Sequence, residues 1–218
     1  MTTSRHPKAE VKASARTKAQ ALLLVLSGPS GVGKDSILRG AGEYFPELSR
    51  SISVTTRPPR PGEQEGREYF FRSEEEFQQL LAKGGLWEWA RYLDYHYGTP
   101  RAWVEEALTA GRDVVLEIDV QGARQIRRQF PEAVLIFVAP PSRQELVRRL
   151  RGRNTETEAS IAKRLRAYEE ELAHLPEFDY LIINDQLEEA VERFRSIVVA
   201  EKSRVRRLNL SALEQENG

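Results

Sequence analysis

Four short apolar runs along the chain do not alternate with polar residues. They occupy residues 22–26, 114–118, 134–138 and 181–183. Runs of this kind are typical of parallel strands that helices cover on both faces. Segments with helical spacing separate them, at residues 33–42, 100–110, 121–129, 157–173 and 186–206. The pattern predicts an α/β fold in which helices flank a parallel sheet.

Two more helices are marked by how they begin. Ser73 is followed by Glu76, and Ser142 by Glu145, each at the spacing of a capping box. Residues 51–99 differ from the rest of the chain, because they hold many turn-forming residues between short β-like pieces. They predict a mainly β insertion in an otherwise alternating chain.

Composition narrows the class of protein. A chain of 218 residues that is 40% hydrophobic can bury one sizeable core. Lysine plus arginine equals aspartate plus glutamate, at 33 each, so no overall basic field favours a nucleic-acid polymer as a partner. The chain has no cysteine, and no apolar run approaches the ~20 residues of a membrane helix. We therefore expect a cytoplasmic protein without disulfides and without membrane contact.

A glycine-rich stretch joins the first apolar run to the first helical segment. It fits the pattern G-x-x-x-x-G-K, formed by Gly28, Pro29, Ser30, Gly31, Val32, Gly33 and Lys34. Glycines let the backbone curl until several N–H groups point at a phosphate, and the helix N-terminus and the lysine add positive charge. Glycine-rich turns also occur for packing alone, but the lysine at this offset favours a nucleoside triphosphate site.

Asp35 stands where this motif usually has a serine or threonine that binds Mg²⁺. Ser36 cannot simply take over, since one residue turns a helix by about 100°. We expect Asp35 to contact Mg²⁺ directly or through water. Glu117, in the second apolar run, is a second candidate for binding Mg²⁺ through water. Without a metal, Asp35 fits a solvated acid at a helix start and Glu117 an ordinary strand-end acid.

The β-like insertion contains a second candidate for anion binding. Ser53, Arg57, Arg60 and Tyr69 lie within the sequence SVTTRPPRPGEQEGREY. Because prolines restrict the chain between the two arginines, both guanidinium groups can point at one phosphate at a small entropic cost. Taken alone, these residues fit a monophosphate site and an exposed basic loop equally well.

Several segments together resemble the guanylate kinases. The glycine-rich loop, SVTTRPPRPGE, WEWARYLDYHYGTP, LEIDVQG and RGRNTETEASIAKRL occur in the order found in that family, and the resemblance spans residues 21–203. It implies a P-loop NTPase core with a mainly β GMP-binding insertion and a helical lid. The implied division is a disordered basic extension (1–20), a core (21–52, 101–141 and 171–207), a GMP-binding domain (53–100), a lid (142–170) and a frayed tail (208–218).

The resemblance also implies which residues bind GMP. Its phosphate would be held by Ser53, Arg57, Arg60, Tyr69 and Tyr97, and its guanine by Glu88, Thr99 and Asp119. The chemistry agrees, because guanine presents N–H donors on one edge and a carboxylate only accepts. Spacing alone also fits Glu88 as an ordinary strand-face acid between Trp87 and Trp89, and we expect both tryptophans in the core.

The arginine-rich segment after Pro141 resembles the family's lid. Its catalytic arginines would be Arg149, Arg153 and Arg164. Cations that arrive with lid closure can stabilise the charge on a phosphoryl group in transfer, although the composition also fits a solvated pair of charged helices. Asn154 stands where the family usually has glycine, which puts the mobility of the lid hinge in doubt.

The expected ATP site adds two residues at the far end of the chain. Beside residues 28–36, the resemblance places Asn184 and Asp185 near the adenine of ATP, a position that also fits a plain turn. The partners implied are thus ATP and GMP, with Mg²⁺ as the cofactor. The sequence favours neither a monomer nor a homo-oligomer.

The expected reaction is transfer of the γ-phosphoryl group of Mg-ATP to GMP, and also to dGMP. No general base is needed, because a phosphate monoester with a second pKa near ~6 already offers an anionic oxygen. Two alternatives are a catalytically silent guanylate-kinase-like module that binds a phosphopeptide and a P-loop kinase for a sugar phosphate. Lys34 and the lid arginines disfavour the first, and the guanine-binding residues disfavour the second.

Overall fold

The computed structural model describes residues 20–152 and 157–208. The strands are β1 (Leu23–Ser27), β2 (Ser49–Arg50), β3 (Val54–Thr55), β4 (Phe70–Phe71), β5 (Leu86–Tyr92), β6 (Tyr95–Pro100), β7 (Val114–Glu117), β8 (Val134–Ala139) and β9 (Tyr180–Ile183). The helices are α1 (Lys34–Ala41), α2 (Glu74–Ala82), α3 (Arg101–Thr109), α4 (Val120–Gln129), α5 (Arg143–Arg151), α6 (Glu158–Leu172) and α7 (Leu187–Lys202). Single 3₁₀ turns follow α6 and α7.

The strands form two sheets. Five parallel strands form the first sheet, in the order β2-β7-β1-β8-β9. The other four strands form the second sheet, in the order β4-β3-β6-β5. In the second sheet β3 and β4 run parallel, while β6 is antiparallel to both β3 and β5. The second sheet is inserted between α1 and α3 along the chain.

The core lies on both faces of the parallel sheet. On one face, Leu24 and Leu26 of β1 pack with α1 and α7, where Phe194 is fully buried. On the other face, Leu23 and Val25 pack with α3 and α4. A central strand covered on both sides has no position for a polar side chain, which explains why the first apolar run is continuous.

The four apolar runs are β1, β7, β8 and β9, as predicted. The prediction missed β2, because a two-residue edge strand carries no apolar run. It was also wrong in expecting cover on both faces of β9: this strand lies at the sheet edge, and Leu181 and Ile183 are 44% and 42% exposed. Ile182, between them, packs on the α1–α7 side of the sheet, so that face of β9 is covered while the opposite face is largely exposed.

The predicted helix over 186–206 is too long. Helix α7 ends at Lys202, and the hydroxyl of Ser203 donates to the carbonyl of Val199 at 2.8 Å. The chain then turns so that Arg207 is buried and donates to the Glu201 carboxylate. The helix therefore ends where a tertiary ion pair forms beyond its last turn. Helical spacing in the sequence does not predict such an ion pair.

The two predicted capping boxes differ. At α2 the Ser73 side chain accepts from the N–H of Glu76, and the Glu76 carboxylate accepts from the N–H of Ser73, so the box is complete. At α5 the Ser142 side chain accepts from the N–H of Glu145, but the carboxylate of Glu145 binds arginines instead. Charge-assisted bonds to guanidinium groups outcompete a backbone N–H there.

Some predictions fall outside the described residues. These are the basic extension apart from Gln20, the tail apart from Leu208, and the lid residues Arg153 and Asn154. Of the expected core tryptophans, Trp87 is buried, but Trp89 is 41% exposed. Regular alternation would place both on one face, but the pairing of β5 with β6 shifts register between Leu86 and Glu88, which interrupts the alternation. Among the described helices, none is long and apolar enough to cross a membrane.

Candidate nucleotide-binding site

The glycine-rich loop connects β1 to α1 at the carboxyl edge of the parallel sheet. Gly28 and Gly33 have φ angles of 127° and 97°, which favour glycine. A Cβ atom on Gly33 would overlap the side-chain amide of Asn184, so this turn also needs the space that glycine leaves. No side chain of the residues that the structure describes caps the start of α1, and its first N–H groups remain available to an anion.

Three side chains hold this loop from outside. The buried amide of Asn184 donates to the carbonyl of Val32 at 2.7 Å, and Arg149 donates to the same carbonyl at 3.3 Å. Arg164 on α6 donates to the hydroxyl of Ser30 at 2.8 Å. The two helices of the predicted lid, α5 and α6, therefore contact the loop through their arginines.

Lys34 opens α1 and crosses the loop. Its Nζ donates to the carbonyl oxygens of Gly28 at 2.6 Å and Pro29 at 3.2 Å. The ammonium group thus lies beside the inward-curled backbone, where it can add a full positive charge to the N–H groups around a bound phosphate.

Arg50 of β2 bridges the two acids that the sequence nominated for Mg²⁺. Its guanidinium donates to Asp35 and to Glu117, both at 2.6 Å. Burial disfavours the charge of Arg50, but Glu117 and Asp35 outweigh that effect and raise its pKa. One cation therefore already joins both carboxylates, which shows that they converge.

Beside this bridge lies a cavity of about 220 Å³ between the two sheets. Its lining includes Arg50 and Glu117 from the parallel sheet, and Ser53 and Tyr69 from the insertion. Burial, followed by the nearby charge of Glu117, raises the pKa of Tyr69 to about 12, so its phenol stays a hydrogen-bond donor at neutral pH. The cavity brings two of the predicted phosphate-binding residues next to the candidate metal acids.

Arg57 is held by a residue that the sequence reasoning missed. The carboxylate of Glu63 accepts two bonds from Arg57, each at 2.8 Å, and one from the backbone N–H of Arg60 at 2.7 Å. The guanidinium of Arg57 also lies 5.3 Å from the ring centre of Tyr69, which is in edge contact with Tyr97. Arg60 itself is exposed. An acid close to two arginines in a proline-rich loop is the sequence signal that could have identified Glu63.

The three predicted guanine-binding residues lie close together. Glu88 of β5 is only 3% exposed, and its Oε1 accepts a 2.6 Å bond from the hydroxyl of Thr99 on β6. Asp119 caps α4, where it accepts from the N–H of Gly122 at 2.8 Å. Burial is the main cause that raises the pKa of Glu88 to about 8, and the nearby Asp119 adds to it. Burial raises the pKa of Asp119 as well.

A second buried acid approaches the site from α6. Glu171 is 9% exposed, and its Oε2 has no hydrogen-bond partner among residues 20–152 and 157–208. Burial raises its pKa to about 7, against the favourable charge of Lys34. No sequence signal marks it, because it follows Glu169 and Glu170 in a run of acids that looks solvated.

The predicted residues lie in three groups around the carboxyl edge of the parallel sheet. These are the glycine-rich loop, the predicted phosphate-binding residues of the insertion and the predicted guanine-binding residues. Leu26 of β1 pairs with Glu117 of β7, so the phosphate loop and Asp119 leave the sheet side by side. Within the described part of the chain, the side chains of the half-buried Ser36 and the exposed Asp185 make no hydrogen bond to the other site residues, although the carbonyl of Asp185 accepts from Arg149 at 3.5 Å. The arrangement can hold two phosphorylated ligands in adjacent places.

Comparisons of this sequence with known proteins identify one family. The guanylate kinase family model matches residues 20–201. A guanylate kinase of Caldanaerobacter subterraneus is 48% identical over 190 residues, which cover 87% of this chain and 92% of that protein. One from a Synechococcus strain is 51% identical over 176 residues, 81% of each chain.

A solved structure agrees in shape as well as in sequence. The crystal structure of guanylate kinase from Anaplasma phagocytophilum superposes with a TM-score of 0.76 at 33% identity, covering 92% of this chain and 96% of that one. The residues that the family model matches include the phosphate loop, the inserted sheet and α5 and α6. The chain therefore belongs to the guanylate kinase family.

Proposed function

We propose that ATP binds at the glycine-rich loop, GMP binds against the inserted sheet, and the phosphoryl group passes between them at the carboxyl edge of the parallel sheet. The reaction is that of the family, the ATP-dependent phosphorylation of GMP. The observation that carries the assignment of places is the pairing of β1 with β7, since it brings the start of the phosphate loop next to Glu117 and Asp119, and the charge of Lys34 acts on Asp119.

At the ATP place, residues 28–36 curl around the phosphates. Lys34 supplies a full charge, and the uncapped start of α1 supplies N–H donors. Asn184 donates to the carbonyl of Val32, so its role in this proposal is to shape the loop. Asp185 is the next residue and lies at the edge of the ATP place. Arg149 and Arg164 already contact the loop and would meet the charge that develops on the transferred group; Arg153 is proposed to join them.

At the GMP place, Arg57 and Arg60 bind the phosphate with Ser53, Tyr69 and Tyr97 as neutral donors. Glu63 fixes the fork of Arg57 before the ligand arrives, so less side-chain entropy is lost on binding. A phosphate oxygen of GMP is the nucleophile and is already ionised near neutral pH, so no residue has to remove a proton.

Guanine is recognised by Glu88, Thr99 and Asp119. Carboxylate oxygens accept from the N1–H and N2–H₂ donors of guanine, and the hydroxyl of Thr99 can donate to O6. Adenine has neither the N1–H nor the 2-amino donors of guanine, so at least one of the two carboxyl groups would be left without a partner. The same residues apply to dGMP, because the base is unchanged.

Asp35 and Glu117 fit a divalent cation, since one guanidinium already bridges them. Among the described residues no group of three or more His, Cys, Asp or Glu side chains could form a protein cage. That agrees with Mg²⁺, which keeps several waters and binds through one or two carboxylates plus substrate phosphates. When bound, Mg²⁺ neutralises charge on the β- and γ-phosphates. Arg50 would have to release one or both acids.

The division into core, GMP-binding domain (53–100) and lid (142–170) is part of this proposal. It is supported by the separate sheet of the insertion and by the separate apolar cluster of α5 and α6, in which Leu146, Leu150, Ile161 and Leu165 are buried. Such a cluster lets both helices move together over the ATP place.

A coupled assay that compares GMP, dGMP, AMP and ribose 5-phosphate tests the assignment. We expect GMP and dGMP to be phosphorylated, and kcat/KM for AMP to be at least about 10²-fold lower, because the guanine-binding groups would be left unpaired. Comparable kcat/KM values for GMP and AMP would contradict the guanine site. Turnover of ribose 5-phosphate would favour the sugar-phosphate alternative, which the family match disfavours.

A further inference from the structure

Gly122 occupies an unusual place for a glycine. It is the third residue of α4, inside the first turn, where glycine costs roughly 1 kcal/mol of helix stability relative to alanine. An isolated glycine within a helix usually has a reason in packing or function.

The space beside Gly122 is filled by the carboxyl group of Glu88. A Cβ atom built on Gly122 would overlap Oε2 of Glu88 and would lie 3.0 Å from its Cδ. The next nearest atom is the methyl group Cδ1 of Ile118 at 3.3 Å. No backbone atom of β5 is among these neighbours, so the close approach is to the acid and not to the strand itself.

Glu88 has little freedom to move away. Its Oε1 is fixed by the 2.6 Å bond from Thr99, and the whole residue is 3% exposed. On its other side, Gly122 donates its N–H to Oδ1 of Asp119 at 2.8 Å. Gly122 therefore affects both carboxyl groups of the proposed guanine site. Its backbone N–H binds Asp119, and the absence of a side chain leaves space for Glu88.

We propose that Gly122 is a specificity-determining positioning residue, which gives the Glu88 carboxyl group the place from which it contacts guanine. The inference rests on the proposed role of Glu88 in binding the base. A methyl group at this position pushes Oε2 away by several tenths of an ångström or more, while the hydrogen bond to Thr99 and the buried surroundings resist the movement. The ligand contact is then lost or distorted.

The variant Gly122→Ala separates this role from a structural one. It improves the helix propensity of α4, yet we expect it to raise KM for GMP by roughly 10- to 100-fold, because small displacements of a binding group have effects of that size. KM for ATP should stay within twofold. Selectivity for GMP over AMP should fall in parallel.

A matched control is Gly40→Ala. Gly40 lies inside α1, and a Cβ there would come within 2.7 Å of a methyl group of Val191, so the change adds the same crowding against an apolar neighbour far from the guanine site. It should alter the unfolding midpoint without changing the ratio of kcat/KM for GMP to that for AMP. Both variants are compared by steady-state kinetics and by thermal unfolding.

A double-mutant cycle with Glu88→Ala supplies the decisive test. Without the carboxyl group there is nothing to displace, so adding Gly122→Ala should change KM for GMP by less than twofold. If the Glu88→Ala protein does not fold, Glu88→Asp, whose carboxyl group lies one methylene further back, should likewise reduce the effect of the methyl group. An equal cost of Gly122→Ala in every background, or no cost in the native one, would overturn the proposal.

The cycle also distinguishes two kinds of failure. If Glu88→Ala leaves KM for GMP and the selectivity against AMP unchanged, the guanine-binding role of Glu88 is wrong, and the positioning role of Gly122 is wrong with it. If Glu88→Ala is severe while Gly122→Ala is harmless, only the inference on Gly122 is overturned.

Discussion

Burial controls the charge of Glu88. A carboxyl group that is 3% exposed is costly to ionise, and the raised pKa of about 8 means that it carries a proton at neutral pH. The hydroxyl of Thr99 favours the ionised form, but burial outweighs it. Contact with the N–H donors of guanine would favour ionisation further, so binding of GMP is expected to be coupled to release of a proton.

This coupling predicts a pH dependence for GMP binding. Below pH 8, ionising Glu88 costs free energy, so the affinity for GMP should rise with pH by up to about tenfold per unit and level off above 8. Isothermal titration calorimetry in buffers of different ionisation enthalpy measures both the affinity and the released proton. In Glu88→Gln, binding should be weaker and the rise of affinity below pH 8 should be smaller, while the titration of the GMP phosphate, near pH ~6, remains. The same slope in both proteins would contradict the assignment.

Lys34 gives a second prediction for a single residue. Its two bonds to loop carbonyls stabilise the fold little, whereas its charge is expected to act on the transferred phosphoryl group. Lys34→Ala should lower kcat by about 10²- to 10³-fold with an unchanged circular dichroism spectrum. Lys83→Ala, an exposed lysine after α2, is the control and should retain activity. Native activity in Lys34→Ala would exclude the loop as the ATP site.

Among the elements, α2 shows a stability determined by local sequence. Its complete capping box satisfies two backbone N–H groups, and Phe77 anchors the helix under the inserted sheet, where it is fully buried. The helix lies in the proposed GMP-binding domain but supplies none of the proposed ligand contacts. Its cap is therefore a place where stability can be changed separately from substrate binding.

Ser73→Ala should lower the free energy of unfolding by about 1 kcal/mol, because one N–H loses its partner and the reciprocal bond is weakened. Urea unfolding measures the change, and KM for GMP should stay within twofold. Ser73→Thr keeps a hydroxyl cap and should recover most of the loss. A loss of equal size in both variants would mean that crowding at this position, and not the cap, is responsible.

At the scale of the whole molecule, the sequence predicted what is encoded locally and missed what the fold brings together. The phosphate loop, the central strands and the start of α2 each follow from neighbouring residues. Arg50 meets Asp35 and Glu117 only because β2 pairs with β7, and Gly122 meets Glu88 only because α4 packs on β5. The spacing of residues along the sequence does not predict such contacts. The resemblance to a family supplied the guanine-binding residues that pattern alone left open.

The fold also places two acids with raised pKa values, Glu88 and Glu171, in its interior, and this has a consequence for stability. Their pKa values, about 8 and about 7, lie above the ordinary value of 4.5 for the unfolded chain. Each acid is therefore easier to bury protonated than ionised, and its contribution to the free energy of unfolding is fully present below pH ~4.5. That contribution is lost as the pH rises through the folded-state pKa. The surface acids whose pKa values are lowered, such as Glu145, act in the opposite sense and at lower pH.

Urea unfolding between pH 5.5 and 8.5 should therefore show stability that falls as the pH rises. Glu171→Gln isolates one part of this fall, since Oε2 of Glu171 has no partner and the variant cannot ionise. A constant effect of the amide shifts the whole curve, so the informative quantity is how the difference between variant and native protein changes with pH. This difference should move in favour of the variant as the pH rises from 5.5, most steeply below 7, and should level off above 7. A difference that stays constant with pH would show that Glu171 is not buried in the folded protein as the structure describes.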